Sequence, residues 1–152
     1  MQVKNETKAL KKAISGTNKF DSKQLEIYFE RIRCDKKKMY ELVRNFCATY
    51  LVDSEQRPLR LRPLQMDIIV NALTFPEGNK DKHRKMAILA PRGSGKSWAL
   101  SVAVVIYMFF KRFRDLVFII APTEDQCALI FNYVLRHFQD NVFLDGLINN
   151  YR

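Results

Sequence analysis

Residues 86–97 read M-A-I-L-A-P-R-G-S-G-K-S: a short apolar run, a proline, two of the chain's five glycines separated by one residue, then Lys96 and Ser97. The run Met86–Leu89 lies between the polar stretch E-G-N-K-D-K-H-R-K and Ala90-Pro91, and predicts a buried strand. Residues 97–110 read S-W-A-L-S-V-A-V-V-I-Y-M-F-F and predict a buried helix. The glycines therefore fall in a turn between strand and helix.

That setting gives the turn a chemistry. A phosphate chain carries several negative charges, and the main chain neutralises them only where successive N–H groups turn inward, a conformation that is easy without a side chain. Gly93 and Gly95 allow it at the positive N-terminal end of the following helix. Lys96 is expected to reach the β- and γ-phosphates as a mobile point charge, and the Ser97 hydroxyl to bind Mg²⁺. The pattern G-x-x-x-x-G-K-[ST] is met except at its first position, where Ala90 stands for Gly. The expected nucleotide-binding segment is Ala90, Pro91, Arg92, Gly93, Ser94, Gly95, Lys96, Ser97 and Trp98, with ATP and Mg²⁺ as ligands. Arg92 has two readings: a guanidinium that stabilises γ-phosphate charge in cis, or one that pairs with a neighbouring acid.

Outward from the loop, L-V-F-I-I-A at 116–121 has the unbroken apolar character of a strand inside a parallel sheet. Thr123 and Gln126 have capping-box spacing and open a helix whose apolar face is Ile130, Val134 and Phe138. Pro122 and Thr123 could present N–H groups to a nucleic-acid phosphate, although a plain helix start explains the same residues. On the N-terminal side, Leu25, Phe29 and Ile32 recur at helical spacing, as do Met39, Leu42, Val43, Phe46 and Tyr50. Asp35-Lys36-Lys37-Lys38 between the two sets reads as a solvated turn capped by Asp35, or as a loop that contacts phosphate. Residues 1–20 read as a weak helix or a mobile arm. After R-P-L-R-L-R-P-L a helix is expected from Leu64 through Leu73, with Gln65 in its first turn. An amide there could both donate to and accept from an adenine edge.

These elements predict an α/β fold: an incomplete P-loop NTPase (ASCE-like) parallel sheet preceded by an N-terminal helical region. The expected division is 1–56, basic and helical, and 57–152, the front of an ATPase domain. Its two strands require further strands to bury a sheet, so a marginal fold or self-association is expected.

Composition agrees with an acidic partner. The 152 residues carry 26 Lys plus Arg against 16 Asp plus Glu, a formal charge of +10. Residues 1–62 hold 15 basic and 8 acidic side chains, so nucleic acid is expected to meet mainly the front of the chain. Cys34, Cys47 and Cys127 form no metal- or disulfide-like spacing and are read as core thiols. The apolar run 98–110 is thirteen residues, short of the ~20 that a membrane span needs. His83 and His137 are isolated, one read as loop and the other as helix surface.

The order L-R-P-L-Q at 61–65, A-P-R-G-S-G-K-S at 90–97 and F-I-I-A-P-T-E-D-Q at 118–126 resembles the N-terminal ATPase part of tailed-phage terminase large subunits, over roughly residues 57–138. The resemblance implies that Gln65 contacts adenine, that Arg92 and Lys96 are catalytic, and that Ser97 holds Mg²⁺. It further implies packaging of double-stranded DNA in the host cytoplasm, a portal protein and a small terminase subunit as partners, and a homo-oligomeric ring. The acidic strand and the nuclease domain of that family do not appear before Arg152, so the chain is expected to be the front of a larger enzyme that binds ATP and hydrolyses it slowly or not at all. The alternatives are a helicase-like translocase and a non-catalytic P-loop interaction module.

Overall fold

A computed structural model describes residues 22–75, 86–111, 116–141 and 144–145. Its described elements are helices α1 (Ser22–Ile32), α2 (Lys36–Tyr50), α3 (Pro63–Leu73), α4 (Lys96–Lys111) and α5 (Glu124–Gln139).

The N-terminal pair forms as its periodicity predicts. Leu25, Phe29 and Ile32 of α1 and Met39, Leu42, Val43, Phe46 and Tyr50 of α2 are all buried. The charged break is the cap that its sequence suggests: an Asp35 carboxylate oxygen accepts from Lys37 N at 3.0 Å and Lys38 N at 3.1 Å, supplying partners for N–H groups that have none within the helix. Those bonds, that from Lys38 foremost, hold the Asp35 carboxyl below its ordinary pKa. Helix α3 begins one residue earlier than expected because Pro63, with φ already fixed and no N–H to lose, is suited to the first helical position.

Helix α4 is the centre of the core. Ala99, Val102, Val105 and Ile106 are fully enclosed, and the helix packs against α1, α3 and α5 and reaches α2 through its terminal rings. Its C-terminal rings meet the hairpin: Phe110 stacks on Phe29 at 4.9 Å and Phe109 stands edge-on to Phe46 at 5.1 Å. Lys111 closes that end, its ammonium 3.0 Å from Glu26 and 2.7 Å from Glu30 of α1. Burial opposes the charge on Lys111, but the two carboxylates outweigh it and push its pKa up. Arg33 links α1 to the end of α3: its Nε donates to Leu73 O at 3.0 Å and its guanidinium lies 3.8 Å from the Phe75 ring centroid.

The expected parallel sheet is not there. Among the described residues no strand forms, and the one β-bridge pairs Val52 with Pro58 in the turn between α2 and α3. The α/β reading, and with it the P-loop NTPase sheet, is therefore corrected to a helical architecture. The two segments read as strands, 86–89 and 116–121, have neither helix nor ladder, and their apolar side chains are largely in solvent: Leu89 is 100 %, Leu116 83 %, Phe118 79 % and Ile120 91 % exposed. Apolar content signals a side chain that gains from burial, at ~1.5–3 kcal/mol each. A strand also requires a backbone partner, and a run of residues cannot specify one by its own composition.

Other readings are corrected by burial. Of the three thiols, Cys47 is buried, Cys127 half-buried and Cys34 exposed. His137, read as helix surface, is 7 % exposed. His83 and the arm 1–20 lie outside the described residues. No described helix is long and apolar enough to cross a membrane.

Candidate phosphate-binding loop

The loop 90–95 enters α4 through two turns of backbone that only glycine takes readily. Gly93 and Gly95 both have φ of +79°, in the left-handed region, with Ser94 between them. Ser94 N donates to Pro91 O at 3.3 Å and closes the first turn, and Ala99 N donates to Gly95 O at 2.8 Å, the bond that starts the helix. The N–H groups of Lys96, Ser97 and Trp98 precede that first helical bond and have no partner within α4, so the positive end of the helix dipole opens onto the loop.

Lys96 folds back over this turn. Its ammonium lies 3.3 Å from Ala90 O and 3.3 Å from Pro91 O, holding a positive charge above the loop by two weak bonds that a stronger acceptor would replace. The Ser94 hydroxyl oxygen is buried without a hydrogen-bond partner. Ser97 is half-buried in the first turn of α4, and Arg92 is exposed with no carboxylate at salt-bridge distance among the described residues.

Gln65, distant in sequence, is brought to the loop by the packing of α3 on α4. Its Oε1 accepts from Arg62 N at 2.9 Å and so caps α3. That bond orients Nε2 toward the loop, where a Cβ on Gly95 would approach it to 2.7 Å. Gly95 is therefore required by its φ, while a Cβ there would displace only the flexible end of Gln65. One lone pair of Oε1 is already committed, while the second and the amide protons keep both donor and acceptor capacity.

Trp98 is placed differently from the rest. Its ring stands edge-on to His137 of α5 at 5.5 Å, so the side chain belongs to the α4–α5 contact and only its backbone to the loop. Below it, Ser101 Oγ donates to Trp98 O at 2.7 Å and meets His137 Nε2 at 3.2 Å. The hydroxyl proton being used, His137 donates to Ser101 and is the neutral Nε2–H tautomer. Burial first, and the nearby Arg136, push the His137 pKa down to about 4 against the opposing pull of Asp140. The sequence held the signal for this residue: His137 is three positions after Val134 and beside Phe138, on the apolar stripe of α5.

The site thus gathers Gln65, Arg92, Gly93, Ser94, Gly95, Lys96 and Ser97 at the N-termini of α3 and α4. Backbone donors, one ammonium, one guanidinium and three small or amide side chains suit a polyanion, and the buried Ser94 hydroxyl is a donor awaiting an acceptor. Among the described residues no cluster of three or more His, Cys, Asp or Glu could hold a metal ion by itself, so a divalent cation here would be held by Ser97 together with phosphate oxygens. No protein-family model, curated protein or solved structure matches the chain.

Proposed function

We propose that loop 90–97 binds the phosphate chain of ATP with Mg²⁺, and that the chain serves as the nucleotide-binding part of a DNA-packaging motor of the terminase large-subunit kind. The observation that carries the phosphate reading is the pair of left-handed glycines leading directly into a helix whose first residue, Lys96, arches back over them. The support is local to the loop. The motor reading rests on the order of the three motifs 61–65, 90–97 and 118–126.

In this reading the amides that open α4 and the Lys96 ammonium neutralise β- and γ-phosphate charge, and Ser97 contributes a ligand to the cation. Gln65 faces the base, and Arg92, with no carboxylate at salt-bridge distance among the described residues, turns to the γ-phosphate. Double-stranded DNA is the proposed polymer partner, with Lys36, Lys37 and Lys38 exposed at the hairpin turn as contacts to its phosphates. A portal protein, a small terminase subunit and a ring of copies are the further partners that the motor reading entails. A second reading is an interaction module that binds nucleotide without hydrolysing it.

Titration with fluorescent ATP and Mg²⁺ tests the loop: Lys96→Ala should weaken binding at least ~10-fold, about 1.4 kcal/mol of lost charge-assisted contacts. Equal affinity in the variant refutes the loop assignment. Phosphate release at saturating ATP separates the two readings, since the module binds without turnover. Affinity for duplex DNA should fall steeply, by orders of magnitude, between about 50 and 200 mM salt. A flat salt profile would show that the basic front only solvates the protein.

A further inference from the structure

Ser101 is the polar exception on the buried face of α4, where every other buried residue is Ala, Val, Ile or Phe. His137 is its counterpart on α5, whose other buried residues are Val134 and Phe138. A buried hydroxyl and imidazole that bond to each other hold two helices together little better than apolar side chains of the same shape, so cohesion alone does not call for them. What they supply, and an apolar pair does not, is direction.

The direction is toward the loop. His137 Nε2–H donates to Ser101 Oγ at 3.2 Å, and the Ser101 hydroxyl donates in turn to Trp98 O at 2.7 Å. A hydroxyl that accepts at its oxygen donates more strongly through its proton, so the two bonds reinforce each other. They end on the residue that joins the loop to α4. The N–H of Trp98 is one of the three open donors at the start of that helix, while its carbonyl is taken by Ser101 and its ring stands 5.5 Å from the same imidazole. Helix α5 thus grips residue 98 by carbonyl and ring, and the bond from Ala99 N to Gly95 O, at 2.8 Å, ties the same turn to the glycines. Open amides bind an anion well only when they are held toward one point before it arrives.

We propose that His137 is a positioning residue for loop 90–97: through Ser101 it fixes the first turn of α4, and with it the aim of the open amides, without touching the phosphate itself. The inference rests on the phosphate reading of that loop. It gives α5 a share in nucleotide affinity by way of α4, and it predicts that Ser101 and His137 act as one unit.

Titration of the full chain with fluorescent ATP and Mg²⁺ at pH 7, well below the unfolding temperature and with helical circular dichroism intact, tests it. His137→Ala should weaken binding about 3- to 10-fold. Ser101→Ala should weaken it by the same factor, and the double variant by no more than either alone, because each removes the same connection. His137→Gln, which keeps a donor for Ser101, should bind as the wild type does. Val134→Ala, one turn away on the same buried stripe of α5, loosens the α4–α5 contact without touching Ser101 and should leave affinity unchanged. A wild-type chain that binds no nucleotide overturns the loop reading and this inference with it. Binding by the wild type with equal affinity in His137→Ala, losses that multiply in the double variant, no rescue by Gln, or a matching loss in Val134→Ala would each overturn the positioning role alone.

Discussion

Lys96 and Gly95 carry most of what the loop can do, and they act through different physics. Lys96 contributes a charge that is held by two long bonds to carbonyl oxygens, an arrangement easily exchanged for a phosphate. Gly95 contributes space and a backbone angle. With φ at +79°, Gly95→Ala should destabilise the protein by about 1–2 kcal/mol and, by pushing the Gln65 amide aside, weaken ATP together with it. Thermal unfolding and the fluorescent titration measure the two effects, and an alanine variant with unchanged melting temperature and affinity would contradict the geometry. Gly93 has the same angle but open space around it, so alanine there should cost only the strain.

At the scale of the element, caps and periodicity were legible and ladders were not. The Asp35 cap, the Thr123 cap with its hydroxyl accepting from Gln126 N at 3.4 Å, and the Pro63 start each depend on a residue and its neighbours within one turn. Replacing Asp35 by Ala removes the acceptor for two N–H groups and should lower stability by ~1 kcal/mol, read in urea unfolding as a reduced midpoint with an unchanged slope. The strands were a different kind of expectation. Val117, Ile119 and Ile120 have the residue types of a buried strand, but whether a strand forms depends on a second stretch at the right distance, and no local signal states where that stretch is.

For the whole molecule, stability depends on α4 being covered by α1, α2, α3 and α5, and acid acts on two of those contacts. His137 on α5 titrates near 6.5 when unfolded and at about 4 when folded, so between these values the unfolded chain binds more protons. Its contribution is complete above pH 6.5 and is lost as pH falls toward 4, amounting to at most about 3 kcal/mol. Glu30 faces Lys111 and Arg33. Burial opposes its charge, yet these two cations hold its carboxyl below the usual 4.5, so its contribution is present above that pH and is lost below it. The melting temperature should therefore fall as pH goes from 7 to 4. In His137→Gln, which keeps a donor for Ser101, the fall between pH 6.5 and 4 should be much reduced. An equal fall in the variant would locate the titration elsewhere.

The sequence by itself determined the helices, their caps, the faces they bury and the glycine–lysine turn, because each is settled by forces that act within a few residues. Only tertiary structure decided that Gln65 meets Gly95, that His137 is enclosed against Ser101 and Trp98, and that 86–89 and 116–121 form no ladder with any of the described residues. These outcomes depend on which surfaces meet across long stretches of chain, and a residue's type fixes what it gains from a partner without fixing which partner arrives.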